Sequence, residues 1–448
     1  MNFLLSIPLP LRLVVLALVA AMVATLLNAA VYEFAYRHRS LSPWQAPPPG
    51  YPPRNWWDRL PVVGWWRLRR ETHPDSPRHW VRPMLIELIF PLALAWLYWW
   101  ETAELGLVLQ QGAAEGLRHR DLLQLAGAAH LTFLSHAILI SLLLVASMID
   151  FDEFTIPDIV TLPGTIVALI LAATLPLSLL PQISELAAPV SPSVELVSPA
   201  GGRFVGHLGL DLYYYPVHAD SLGGWPAKLA PREPNSLLVA IGCYWFWCFA
   251  FVRRRWLRRR GWSRALRHFL LRIGNDWGTS PLREITLVGT LLIAAVWWWG
   301  EGAWLGLLTA LIGLAAGGGA IWLIRVLASG ALGKEAMGFG DVLLMMMIGA
   351  FVGWQATILI FFLAPFFGLV LAIARLLLHQ AREVPYGPFL SMGTVATIVG
   401  WDSLWGRTGI LFDVPWLVPV IMVACIVACG LILAMMQLVK RLMLGPAI

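Results

Sequence analysis

Two stretches of this 448-residue chain put acids where an apolar run meets water. In the first, Leu142-Leu143-Leu144-Val145-Ala146-Ser147-Met148-Ile149 passes directly into Asp150-Phe151-Asp152-Glu153-Phe154-Thr155-Ile156-Pro157-Asp158. In the second, Met337-Gly338-Phe339-Gly340-Asp341 stands immediately before the apolar run Val342 to Trp354. An acid at the edge of the hydrocarbon is costly enough to be functional by default. Two carboxylates held close in a partly dehydrated site cannot both ionise readily, so one keeps a proton while the other can accept one. Such a pair can activate water: the charged acid takes a proton as water attacks a carbonyl, and the neutral acid donates to the carbonyl oxygen.

Gly338 and Gly340 lack a Cβ and so allow close approach of an extended strand to the Asp341 backbone. A helix beginning at Asp341 also sets this acid at a positive dipole end. The blander reading of Asp150 is an interfacial acid at a helix end. Asp152, Glu153 and Asp158 are read as solvated interface acids, with Asp158 after Pro157 also suited to cap the next helix.

The elements that must position these acids are membrane helices. Of the residues, 58% are hydrophobic and 13% charged, against about 25% charged in a soluble domain. Runs of roughly 17 to 25 apolar residues are long enough to cross a hydrocarbon core, and in lipid they must fold as helices. Apolar segments at about 10–32, 84–100, 129–149, 159–181, 236–252, 285–300, 303–327, 342–354, 356–378, 387–401 and 414–438 predict an all-α, polytopic bundle of about eleven spans. The first, about Leu11 to Val31, lacks a basic stretch before it and a small-residue cleavage pattern after it, and reads as a retained span.

Arginines gather in two loops, Tyr32 to Pro83 and Arg253 to Arg283, which places both in the cytoplasm. Four predicted spans lie between these loops and four between Asp150 and Asp341, so both acids fall on the cytoplasmic face. The N-terminus falls outside, and Lys440 and Arg441 inside. The net charge of +6 is therefore a topology signal rather than a nucleic-acid footprint. Tryptophans at segment ends, such as Trp96, Trp99, Trp100, Trp297, Trp298 and Trp299, read as interfacial anchors, and the arginine loops could also meet anionic lipid. His130 and His136 read as packed or hydrogen-bonded, and Met345-Met346-Met347 as packing residues. Cys425 and Cys429 read as small apolar residues; with no C-x-x-C there is neither a zinc knuckle nor a disulfide framework.

The tetrad Gly338-Phe339-Gly340-Asp341, preceded by Met337, resembles the G-x-G-D signature of prepilin peptidases, the type IV leader peptidases. Ile149-Asp150-Phe151-Asp152, with Ile156-Pro157-Asp158 and Thr161-Leu162-Pro163, is similar to that family's other aspartate motif. Pro385-Tyr386-Gly387-Pro388-Phe389 resembles its downstream Pro-x-Gly-Pro-Phe turn. Leu27-Asn28 with Tyr32, Leu60-Pro61-Val62-Val63-Gly64-Trp65, and Arg82-Pro83 with Glu87-Leu88 extend the likeness to most of the chain outside roughly 182–284.

The resemblance implies that Asp150 and Asp341 are catalytic acids, supported by Gly338, Gly340, Pro157, Asp158, Gly387 and Pro388. It implies a reaction that removes the leader from type IV prepilins or pseudopilins at the cytoplasmic face of the inner membrane, without a cofactor. It divides the chain into an N-terminal membrane region, 1–128, and a peptidase domain, 129–448, interrupted by an insertion at about 182–284. Members often also methylate the new N-terminus from S-adenosylmethionine, and their N-terminal loop often binds zinc through paired C-x-x-C motifs. Here that loop has no cysteine, so zinc is not expected and methylation stays open. Leu343 and Leu344 stand where members commonly carry a lysine after the aspartate. An inactive scaffold of the same fold and an ion-coupled transporter remain the rival readings.

Overall fold

The computed structural model describes residues 6–37, 42–47, 51–71, 78–108, 119–185, 203–205, 211–219, 233–251, 282–332, 337–377, 384–414, 416–425, 427–428 and 435. Because lipid offers backbone N–H and C=O groups no partner, the apolar segments bond within themselves as helices. In chain order these are α1 (Leu9–Glu33), a 3-10 turn (Trp56–Arg59), α2 (Val63–Leu68), α3 (Val81–Thr102), α4 (His119–Glu153), α5 (Asp158–Thr174) and α6 (Pro234–Ala250). Then follow α7 (Leu282–Trp299), α8 (Glu301–Leu332), α9 (Phe339–Leu377), α10 (Gly387–Val399) and α11 (Trp401–Asp413).

Among the described residues six helices are long and apolar enough to cross a membrane: α1, α3, α4, α7, α8 and α9. The count is seven if the bent pair Trp401–Phe412 and Leu417–Cys425 forms one span. Three shorter apolar helices, α5, α6 and α10, accompany them. The chain is thus a helical, polytopic membrane protein. The expected total of about eleven spans is not established, although every apolar segment expected before residue 401 coincides with a helix. The arginine-rich stretch 253–281 and Lys440 with Arg441 lie outside the described residues.

One face of α1 packs Ala20 and Ala24 against Phe90, Leu94 and Leu97 of α3. The opposite face leaves Leu11, Val14, Leu18, Val19, Met22 and Leu26 exposed, as a lipid-facing helix requires. Two elements depart from expectation. The segment expected at 159–181 ends its helix at Thr174, because Pro176 drives Leu175 out of helical angles (φ −131, ψ 73). The insertion then forms a three-stranded antiparallel sheet: β1 (Pro181–Glu185), β2 (Arg203–Val205) and β3 (Asp211–Pro216), in the order β1-β3-β2.

The continuous-looking α9 doubles back on itself. At Gly353 the backbone takes φ 80 and ψ 171. A Cβ added to Gly317 of α8 would lie 2.6 Å from Met345 O and 2.8 Å from Thr357 Cγ2. Along a straight helix those twelve residues would separate the two atoms by about 18 Å, so residues 339–352 and 354–377 are two arms of a hairpin that embraces α8. The sequence's split into 342–354 and 356–378 has this turn as its cause.

The first arm, fourteen residues long, reaches only about 21 Å, short of a core of about 30 Å. Residues 218 and 219 of the insertion fill the gap. Trp354 Nε1 donates to Ala219 O at 2.9 Å, Gln355 Nε2 to His218 O at 2.7 Å, and Ala219 N to Thr309 Oγ1 at 3.0 Å. Trp401 Nε1 donates to Pro181 O at 2.7 Å. Non-helical backbone is tolerated at this depth because protein groups satisfy it.

Gly353 occupies a region of backbone space that is essentially glycine's alone. Gly353→Ala is expected to cost about 1–3 kcal/mol, read as a lowered midpoint of thermal unfolding in detergent; an unchanged midpoint would rule out the hairpin turn.

Candidate active site

Three distant parts of the chain meet at one end of the bundle. The last turn of α4 carries Asp150, 4% exposed, and the first turn of α9 carries Asp341, 7% exposed. The Pro385–Phe389 turn leads into α10, with Pro388 in the helix's first turn, where its missing N–H is not needed.

The contact between α4 and this turn is direct. Gly387 N donates to Asp150 Oδ2 at 3.1 Å across 237 residues of sequence. Ser147 Oγ, one helical turn before Asp150, donates to Ser391 Oγ at 2.7 Å, and Ser391 Oγ donates to Gly387 O at 3.1 Å. A Cβ on Gly387 would lie 2.5 Å from Asp150 Oδ2. Only glycine lets the carboxylate approach this backbone.

The G-x-G-D tetrad docks through a second glycine. Helix α4 ends at Phe154, held at φ 57 with its N–H bonded to Asp150 O at 2.8 Å. This left-handed residue turns the chain so that Ile156 enters the core. A Cβ on Gly340 would lie 2.9 Å from Ile156 Cβ, and one on Gly387 would lie 3.0 Å from Ile156 Cδ1. Ile156 is therefore the wedge on which both glycines close. Gly338 is exposed, and a Cβ there would lie 3.7 Å from Asp341 Oδ2, so bare backbone separates this carboxylate from solvent.

Asp341 lies within electrostatic reach of Asp150 and of the Arg325 guanidinium. Arg325, from α8, donates its Nε to Met337 O at 2.9 Å and sits 5.5 Å from the centre of the Phe339 ring. It grips the residues before and inside the tetrad. Burial, and after it the charge of Asp341, pushes the Tyr386 phenol above its ordinary range, keeping it a neutral hydroxyl beside the acids.

Of the residues singled out in sequence, Asp150, Gly340, Asp341 and Gly387 are brought together, with Gly338 at the opening. Pro157 is buried at the N-cap of α5, while Asp158 is exposed in its first turn and makes no side-chain cap. Asp152 and Glu153 are not simply solvated. Asp152 pairs with Arg82 at 2.7 Å, and Glu153 accepts the backbone N–H groups of Tyr36 at 2.8 Å and Arg37 at 2.9 Å. Arg325 and Tyr386 were missed as site residues. Arg325 is the lone cation of α8, and the rule that marks intramembrane acids applies to it equally.

The loop 32–83 contains no cysteine, so it lacks the thiolates through which the resemblance would bind zinc, and among the described residues no group of three or more His, Cys, Asp or Glu could hold an ion.

Residues 272–373 match the type IV leader peptidase family, a stretch that includes Arg325, the G-x-G-D tetrad and most of α9 but neither Asp150 nor the Pro385–Phe389 turn. The chain is 37% identical over 101 residues to a prepilin leader peptidase/N-methyltransferase of Aeromonas salmonicida (strain A449), covering 22% of this chain and 33% of that one. The enzyme of the same name from Pectobacterium carotovorum subsp. carotovorum is 31% identical over 138 residues, 27% of this chain and 50% of that one. The chain thus spans a third to a half of the length of these curated relatives. No solved structure matches it. The likeness to prepilin peptidases read from the motifs is therefore borne out over the segment bearing Asp341.

Two glycine substitutions separate contact from open space. Gly387→Ala drives a Cβ into Asp150 and should cost about 1–3 kcal/mol as overpacking. Gly242→Ala in α6 meets nothing within 4 Å and should be neutral or stabilise by about 0.5–1 kcal/mol. Thermal melts of both in one detergent check this, and equal shifts would contradict the packing.

Proposed function

We propose that this protein is an intramembrane aspartyl endopeptidase that cuts the leader from type IV prepilins or pseudopilins at the cytoplasmic face of the inner membrane. One observation carries the reading: Asp150 and Asp341, far apart in sequence, are both buried at one end of the bundle, where Gly340 and Gly387 close on a common residue, Ile156. The match of residues 272–373 and the printed names of the relatives supply the substrate class.

In this mechanism one carboxyl of the pair is ionised and the other neutral. The ionised acid takes a proton from water as the water oxygen bonds to the scissile carbonyl carbon. The neutral acid gives its proton to the carbonyl oxygen. Collapse of the tetrahedral species breaks the C–N bond, and the proton held by the first acid passes to the departing amine. The N–H of Gly387 fixes one Asp150 oxygen during these transfers, leaving the other for water. Arg325 holds the tetrad through Met337 and Phe339 and supplies a positive charge near Asp341, in a chain that has leucines where members commonly carry a lysine after the aspartate. Exposed Gly338 gives an extended substrate backbone access to Asp341.

The reading is confined to proteolysis. The relatives' names also include N-methyltransferase, but the loop that the resemblance links to that activity lacks its zinc donors, and no step is assigned to S-adenosylmethionine. A transporter reading is disfavoured because the acids sit at helix ends rather than at mid-bilayer.

Prepilin cleavage by purified protein tests the proposal. Asp150→Asn and Asp341→Asn should each lower kcat by about 10²–10⁴-fold, and the double variant should be hardly worse than either single one. Full activity in a single variant discards the mechanism. In the parent, kcat/KM should pass through a maximum with pH, falling on the acid side as both carboxyls become protonated and on the alkaline side as both ionise. A folded scaffold without activity would leave the parent at background together with all three variants.

A further inference from the structure

The segment at 42–71 has no role in the pair's chemistry, and its geometry points elsewhere. Helix α3 has 22 residues and so spans about 33 Å, the thickness of the hydrocarbon core. Glu87 lies six residues from its start, about 9 Å along the axis, in the third of the helix next to the end that carries Arg82. Val62 N donates to Glu87 Oε2 at 2.7 Å and Trp65 Nε1 donates to Glu87 Oε1 at 2.9 Å. These bonds hold α2 against the first turns of α3, on the side of the bilayer where that end meets the headgroups.

At that depth its outer face is apolar and cationic. Trp56 is 61% exposed, Trp57 48%, Trp66 47% and Val63 41%. Trp66 is sandwiched between an edge contact with Trp80, which precedes α3, and the Arg69 guanidinium, 4.1 Å from its ring centre. Arg59 lies 5.7 Å from the ring centre of exposed Trp44. Residues 51–71 hold five arginines and two acids. The acids are engaged, Glu71 by Arg54 at 2.7 Å and Asp58 by Arg67, so Arg59, Arg69 and Arg70 set the sign of the surface. Indole rings with arginines alternating at headgroup level suit one occupant, an anionic bilayer surface. A positively charged peptide would be repelled.

We propose that the turn Trp56–Arg59 and α2 form a docking surface for the anionic lipids of the inner leaflet, with Arg59, Arg69 and Arg70 meeting headgroup phosphates and Trp56, Trp57 and Trp66 seated at the acyl boundary. The surface is tied through Glu87 to α3, the helix whose Arg82 holds Asp152.

The test is hydrogen exchange of residues 54–71 in the full-length protein, in nanodiscs of phosphatidylcholine alone and with phosphatidylglycerol added. Phosphatidylglycerol should slow exchange in this segment by about fivefold or more, the effect of one arginine–headgroup contact. Molar salt should abolish the slowing. Arg59→Gln/Arg69→Gln/Arg70→Gln should lose the lipid response while the exchange of α8 and α9 stays as in the parent. If that variant fails to fold, the parent's lipid response and its salt sensitivity decide alone. Equal exchange in both bilayers, or slowing that requires an added prepilin, overturns the proposal. Because the readout needs no cleavage, its failure would leave the peptidase reading untouched, and the reverse also holds.

Discussion

The hydrogen bond from the Gly387 N–H to Asp150 Oδ2 is the constraint around which the site is built. It joins the end of α4 to the start of α10 in a place too tight for any side chain, and a charged acceptor makes such a bond stronger than a neutral one. Its geometry dictates its surroundings. Asp150 must end a helix, Gly387 must begin one, and a bulky apolar residue must seal the space between them from lipid. Ile156 does the sealing, and the left-handed Phe154 delivers it. With those pieces fixed, Gly340 is the only residue type that lets Asp341 come down beside the same wedge.

The rest of the bundle is shaped by the rule that backbone groups in lipid must find partners inside the protein. An arm that starts at Asp341 and turns at Gly353 is too short to cross the core, and a lone short arm would leave its turn in hydrocarbon. The chain resolves this with its own insertion. Residues 216–219 descend beside the turn, where Trp354, Gln355 and Thr309 satisfy their peptide groups. The insertion is therefore continuous with the core at its inner edge, and α8 fits between the arms of α9 because Gly317 presents backbone to both arms and Gly313 to the first arm and the turn at Gly353.

This division explains what the sequence could and could not disclose. Asp150, Gly340, Asp341 and Gly387 were legible because acids at the ends of apolar runs and glycines beside them are local patterns with local costs. The hairpin at Gly353 was legible as a break in the apolar run, though the turn itself depends on a backbone angle. The sheet of the insertion was not, since its strands carry no long alternation and its pairing joins residues about thirty apart. Arg325 escaped notice because its partner is a carbonyl, Met337 O, and no sequence pattern marks which carbonyl a distant cation will find. Asp152 and Glu153 looked like surplus acids for the same reason: their partners, Arg82 and the peptide groups of Tyr36 and Arg37, lie across a loop.

Glu87 shows how a loop without thiolates can be stapled to a membrane bundle. Its carboxylate, 2% exposed, accepts Val62 N, Trp65 Nε1 and, at 3.2 Å, Asn28 Nδ2, so that α1, α2 and α3 converge on one group. Hydrogen bonds to a charged acceptor contribute about 1.5–3 kcal/mol each, and three of them offset much of the penalty of burying the charge. A tetrahedral zinc site would hold only the loop's own strands together. A carboxylate on α3 ties the loop to the bilayer-spanning helices instead, and Arg82, five residues before it on the same helix, carries that tie on to Asp152, two residues from Asp150. The cysteine-free loop is thus held by the same helices that frame the acid pair, so its position and theirs are fixed together.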